Sequence, residues 1–151
     1  MQLTEEVLIP LDRITVFNAL NDPDILQASI PGCDELVKHS DTEMTARVVV
    51  KFGPVKAGFD SEVTLYPSEG PDRFTLSGKG DAGMAGFANG GALVTLTEQG
   101  SDTLLAYEVT IDVTGKLAQV GSRLMEGTTK RLAKKFFANF EAALTAPSQA
   151  S

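Results

Sequence analysis

At 151 residues and 42% apolar composition, the chain can bury a genuine core as a single domain without disulfide or metal staples. Its formal net charge of −7 repels phosphate backbones, so nucleic acid is not an expected partner. One cysteine, Cys33, and one histidine, His39, exclude an internal disulfide, a multi-cysteine zinc or iron–sulfur site and a histidine metal cluster.

The start, Met1 to Glu6, has no basic region leading into an apolar run. No stretch approaches the roughly 20 apolar residues that a spanning helix needs, so a cytoplasmic location is expected. Residues 2–9 alternate weakly and stop at Pro10, which predicts a short first strand. Leu11, Ile14, Val16, Phe17 and Leu20 then recur at helical spacing. Asn21-Asp22-Pro23 closes that helix and opens a second, with Asp22 as its cap and Pro23 in its first turn. Pro31-Gly32 ends the second helix about two turns later.

From Cys33 to Gly115 alternation replaces the helical period. Met44, Ala46, Val48, Val50 and Phe52 share one parity, while Thr45, Arg47 and Lys51 share the other. After Gly53-Pro54 the pattern resumes, with Phe59, Ser61, Val63 and Leu65 set against Asp60, Glu62 and Thr64. Turn residues at 69–71 and 99–102 separate strands expected near 73–81, 86–98 and 103–115. Such short connections imply antiparallel pairing, because parallel crossovers need a dozen or more residues. From Lys116 to about Leu144 the period is helical again, on the stripe Leu117, Val120, Leu124, Thr128, Leu132, Phe136, Phe140 and Ala143. The expected helix and the strand before it are each roughly 40 Å long, so one helix can line one whole face of the sheet. The expected class is therefore α+β: a curved antiparallel sheet of about six to seven strands around a long C-terminal helix, with two short helices after the first strand. The domain is expected to span 1–144, with 145–151 as a flexible tail.

Small residues suggest a hollow inside this arrangement. Ala118, Gly121, Ser122, Gly127 and Thr128 sit early in the predicted helix, where glycine costs about 1 kcal/mol relative to alanine. The sheet is also short of bulk, at Gly78, Gly80, Ala82, Gly83, Ala85, Gly86, Ala88 and Gly90-Gly91-Ala92. A ligand-binding cavity would have as walls Phe52, Phe59, Phe74, Phe87, Leu105, Tyr107, Val109, Leu117, Val120, Gly121, Leu124 and Met125. Glycines in strands also mark bulges and tight corners, and aromatic residues at strand parity also fill cores. Cavity and filled core both stay open at this point.

The residues of a hydrolase or metalloenzyme site are missing. His39 lies in a polar turn, Cys33 has no histidine to activate it, and Asp60, Glu62 and Asp112 fall on the outward parity. No catalytic residue, metal site or covalently bound cofactor is expected. The run Lys130, Arg131, Lys134 and Lys135 suits the C-terminal half of a helix, where cations oppose the dipole favourably. Lys130 and Lys134, with Arg123, are also candidates for contact with a partner.

Four segments together resemble the family of the G subunit of carbon monoxide dehydrogenase, within the START-like and Bet v 1-like helix-grip superfamily. They are Leu20-Asn21-Asp22-Pro23; Ser29-Ile30-Pro31-Gly32-Cys33; Phe52-Gly53-Pro54-Val55-Lys56; and Gly115 to Arg123. The resemblance runs from about residue 1 to 144. It implies a non-catalytic accessory protein of an aerobic molybdenum-containing carbon monoxide dehydrogenase or related hydroxylase. It also implies a quinone or other lipid held in the cavity and a peripheral contact with the inner face of the membrane. An assembly or docking module for the same kind of enzyme is the alternative. Many members continue past the helix into a membrane-associating segment, which this sequence does not display. Gly32, Gly53, Gly121 and Arg123 match family positions and are read as shape-setting or partner-facing.

Overall fold

Two N-terminal caps place the small helices where the sequence puts them. In the computed structural model, which describes residues 1–145 and positions 67–69 by backbone alone, strand β1 (Gln2–Ile9) leads into helices α1 (Arg13–Leu20) and α2 (Pro23–Ser29). The Asp12 carboxylate accepts from the Thr15 amide at 3.1 Å and the Thr15 hydroxyl at 2.6 Å, and these bonds hold its pKa below the ordinary value. The Asp22 carboxylate accepts from the Asp24 amide at 2.9 Å, with Pro23 in the first turn of α2.

The strands follow as a meander: β2 (Cys33–Lys38), β3 (Glu43–Phe52), β4 (Val55–Glu69), β5 (Arg73–Asp81), β6 (Phe87–Gln99) and β7 (Asp102–Val113). They form one seven-stranded antiparallel sheet in the order β1-β7-β6-β5-β4-β3-β2, so the first strand closes beside the last. Seven strands around a long C-terminal helix is the expected α+β architecture. The tail beyond Thr145 lies outside the described residues.

The C-terminal helix departs from expectation at its start. Gly115–Val120 is a 3₁₀ turn, the chain breaks at Gly121 with φ +95°, and helix α3 then runs Ser122–Thr145. Leu117 and Val120 stand three apart, a spacing that a 3₁₀ turn and an α-helix both satisfy, so periodicity could not tell them apart. Gly121 therefore sits in a left-handed junction that only glycine adopts readily, and carries no helix-interior penalty.

The core forms two clusters. One gathers Ile9, Val16, Leu26, Phe74, Leu96, Leu105, Tyr107 and Phe140 between α1, α2, the far ends of the strands and the end of α3. The other gathers Val50, Phe52, Ala57, Phe59, Leu117 and Met125 around the β3–β4 hairpin and the start of α3. The backbone of α3 comes closest to the sheet at β1 and β3, toward its two opposite edges. The helix thus rests on the rims and crosses above the middle strands. Asp22→Ala is expected to cost about 1 kcal/mol, read as a thermal midpoint lowered by roughly 2–4 °C.

Candidate functional site

Strand register gathers the small residues onto one patch of the concave face. One cross-strand row reads Ala46, Ser61, Gly80, Ala88 and Val113, and the next reads Met44, Val63, Gly78, Gly90 and Ile111. Bulk returns further along, where Phe74, Val94, Tyr107 and Glu5 face one another. Small rows between two bulky clusters leave an open apolar trough of about 380 Å³, walled by Val48, Val50, Phe59, Leu76, Gly78, Ala92, Val109 and Ile111 among others. A second hollow of about 390 Å³ adjoins it beside the 3₁₀ turn and the start of α3, with Ile111 common to both. Depressions of about 570 and 540 Å³ are lined mainly by charged and polar side chains of the outward parity, such as Arg47, Asp60, Glu62 and Lys79, and lack the carbon lining that retains an apolar molecule.

The glycines here do three different things. At Gly80 a Cβ would meet Phe59 Cδ1 at 2.9 Å, so the ring already occupies that space. At Gly90 a Cβ would stand 2.6 Å from the Thr110 carbonyl oxygen, so the residue permits a close backbone approach between β6 and β7. At Gly78 the nearest atom to a Cβ is 3.7 Å away, so only the missing side chain keeps that part of the trough open.

Of the expected wall residues, Phe59 and Val109 line the trough itself. Phe52, Leu117, Val120 and Met125 close one end within the second cluster, and Phe74, Leu105 and Tyr107 close the other within the first. Leu117, Gly121 and Met125 also line the adjoining hollow. Leu124 is half-buried and packs over Gly53 at the β3–β4 turn, 3.1 Å from where a Cβ would stand. Phe87 is a correction: it lies on the outward parity of β6 and is 51% exposed, because the turn after β5 re-enters the sheet in the phase that sends Ala88 inward. The small residues of the helix region are a second correction. Ala118, Gly121, Ser122 and Gly127 are exposed and Thr128 is buried; the sheet walls the trough, while Ala118, Gly121 and Ser122 line only the adjoining hollow.

Val48, Val50 and Ile111 are walls that share parity with Phe52 and Val109, and that parity was the signal available to find them. Two polar features were missed. Glu5 shares the inward parity of Leu3, Val7 and Ile9, and its carboxylate accepts from the Tyr107 hydroxyl at 2.8 Å. Burial first, then this bond and the Glu5 charge, push the Tyr107 pKa well above its ordinary value, so the hydroxyl stays a donor. Thr128 is 1% exposed on α3, and its hydroxyl has no hydrogen-bond partner among the described residues.

Asp60, Glu62 and Asp112 are exposed, and Asp60 pairs with Arg47 at 2.9 Å. Cys33 is half-buried, its pKa raised chiefly by burial. His39 lies exposed, 2.7 Å from the Thr45 hydroxyl. Arg123, Lys130 and Lys134 are exposed, and Lys130 pairs with Glu126 at 3.1 Å. No described helix is long and apolar enough to cross a membrane.

A seven-stranded sheet bent beneath a helix that bridges its rims, over an apolar trough, defines a helix-grip protein of the START-like and Bet v 1-like kind. A START superfamily protein from Mycobacterium smegmatis superposes with a TM-score of 0.70 at 11% identity, covering 95% of this chain and 96% of that one. Residues 6–145 match the G subunit of carbon monoxide dehydrogenase (CoxG), and the chain belongs to that family. A conserved protein from Geobacillus kaustophilus is similar at 26% identity and TM-score 0.88 over 95% of each chain. A Thermus thermophilus protein is similar at 16% identity and TM-score 0.76, over 99% of this chain and all of its own. No curated protein matches the sequence.

Thr128→Val removes a buried hydroxyl that has nothing to bond. It is expected to stabilise the ligand-free protein by about 1 kcal/mol, and calorimetry would show the midpoint rising rather than falling.

Proposed function

We propose that this chain is a non-catalytic carrier that holds a hydrophobic small molecule of the quinone or lipid class in its trough. On this reading it serves a molybdenum-containing carbon monoxide dehydrogenase or a related hydroxylase by coupling that enzyme to its membrane electron acceptor. The observation that carries the reading is the pair of cross-strand rows dominated by glycine, alanine and other small residues beneath a helix supported at the rims. A filled core would place bulk at Gly78, where the backbone admits a side chain without strain. Membership of the CoxG family supports the choice of enzyme.

Energetics are adequate for reversible carriage. Burying about 300 Å² of ligand apolar surface gives roughly 7 kcal/mol, from which the loss of translational freedom must be subtracted, so an exchangeable complex results. Exposed Asp60, Glu62 and Asp112, and a Glu5 carboxylate engaged by Tyr107, support a role without acid–base chemistry.

Native mass spectrometry of protein made in its own host is expected to show a co-purifying quinone or lipid. Gly78→Phe, which fills the trough from the sheet side, is expected to abolish that adduct while leaving the circular dichroism spectrum unchanged. A clean ligand-free mass together with no quinone binding in titration would sink the carrier reading. Loss of enzyme association in Arg123→Ala, with Gly78→Phe fully functional, would favour the docking module instead.

A further inference from the structure

Hydrogen bonding sorts the polar side chains that face the interior. Ser29 donates to the Ile25 carbonyl at 2.6 Å, Thr103 donates to the Leu11 carbonyl at 2.7 Å, and Glu5 accepts from the Tyr107 hydroxyl at 2.8 Å. These three are committed to the scaffold, and Thr128, which has no bond, lies outside the lining of the trough. Ser61 on β4 differs from all four. It lines the trough, and its hydroxyl makes no hydrogen bond among the described residues.

Register explains why that hydroxyl is left free. Across the sheet Ser61 stands between Ala46 on β3 and Gly80 on β5, and along its own strand the inward neighbours are Phe59 and Val63. None of these side chains offers a donor or an acceptor. The Ser61 Oγ stands 3.3 Å from where a Cβ on Gly80 would be, beside the Phe59 ring that covers the same glycine. Glu62, Lys79, Asn89 and Thr110 also border the trough, but their parity is outward and their side chains are exposed, with Lys79 paired to Glu62 at 4.0 Å. Among the described residues that line the trough, Ser61 alone carries a polar side chain of inward parity.

We infer that Ser61 is the residue by which the trough selects its ligand, its hydroxyl bonding an oxygen carried on the ligand's ring. The inference rests on the carrier reading and narrows it to oxygen-bearing rings. In the empty trough the half-buried hydroxyl is open to water. A plain hydrocarbon that displaces this water buries the hydroxyl unbonded, whereas a ring oxygen at the same place restores the bond. Discrimination by a polar group works through that penalty, because the ligand lacking the oxygen leaves the protein's own group unpaired. A serine hydroxyl both donates and accepts, so it bonds the carbonyl of a quinone and equally the hydroxyl of the corresponding hydroquinone. Among the described residues no charged side chain of inward parity lines the trough to favour one over the other. The trough therefore holds the ligand in either oxidation state.

The test is titration of the full chain with menadione and with methylnaphthalene, which share a fused ring and differ in the two carbonyl oxygens. Ser61→Ala is expected to weaken menadione about fivefold, the factor that one neutral hydrogen bond supplies, while methylnaphthalene binds as before or more tightly. Menadiol, titrated without oxygen, should weaken by a similar factor, and an unchanged menadiol affinity would overturn retention of both oxidation states. Val63→Ala, which removes bulk from the same wall and no polar group, should move menadione and methylnaphthalene together. Equal weakening of those two probes in Ser61→Ala would give Ser61 a role in shape alone and overturn the inference. An unaltered chain that binds neither probe sinks the carrier reading and the inference with it. A chain that binds both, with a ratio of affinities unmoved by Ser61→Ala, sinks the inference and leaves the carrier reading standing.

Discussion

The structure depends on how α3 is held above the sheet. Its closest neighbour is α2, and on the sheet its support is concentrated near the edges, where large side chains stand. Tyr107 on β7 stacks against Phe137 with centroids 5.4 Å apart, and Leu124 covers the β3–β4 turn at Gly53. Between those supports, the rows through Gly78, Gly80 and Gly90 offer the helix little to pack on. Side chains pack only against what they can reach, so a helix propped at both rims over a small-residue floor leaves the middle hollow.

An open apolar trough of this size is destabilising in itself, since its lining stays in contact with water. The two clusters on either side offset that loss. Phe140 and Leu117 are fully buried at opposite ends of the interior, and Phe136 stacks on Phe140 at 5.8 Å while Phe52 and Phe59 meet edge to face at 6.2 Å. Aromatic pairs of this kind add to area burial, so the two ends are well packed on either side of the trough. The Phe59 ring over Gly80 shows the boundary between them: one glycine serves packing, while Gly78 two residues earlier serves space.

The polar inventory fits the same division. Most inward positions carry carbon, and the polar side chains among them include Ser29, Ser61, Thr103, Thr128 and Glu5, with Ser29 donating to the Ile25 carbonyl at 2.6 Å. Thr103 donates to the Leu11 carbonyl at 2.7 Å and Glu5 is held by Tyr107, so both belong to the scaffold. Thr128 has no such bond among the described residues, so its hydroxyl is buried at a cost to stability.

Much of this was legible in the residues. Alternation from Met44 to Val113 identified the strands and the outward acids, and Asp22-Pro23 and Pro31-Gly32 marked the limits of α2, because parity, caps and turns are local properties of the chain. The break at Gly121 was hidden, since Leu117 and Val120 satisfy two helical periods at once. Phe87 was misplaced although the alternation of its own strand, with Val94 and Leu96 inward, turns it outward. Which glycines make room, and which merely admit a ring or a neighbouring backbone, depends on atoms contributed by other strands. The sequence by itself determined the elements, their antiparallel order and a shortage of bulk. Tertiary structure alone decided that the shortage collects on one concave patch, since register and the seating of the helix arise from contacts between residues far apart in the chain.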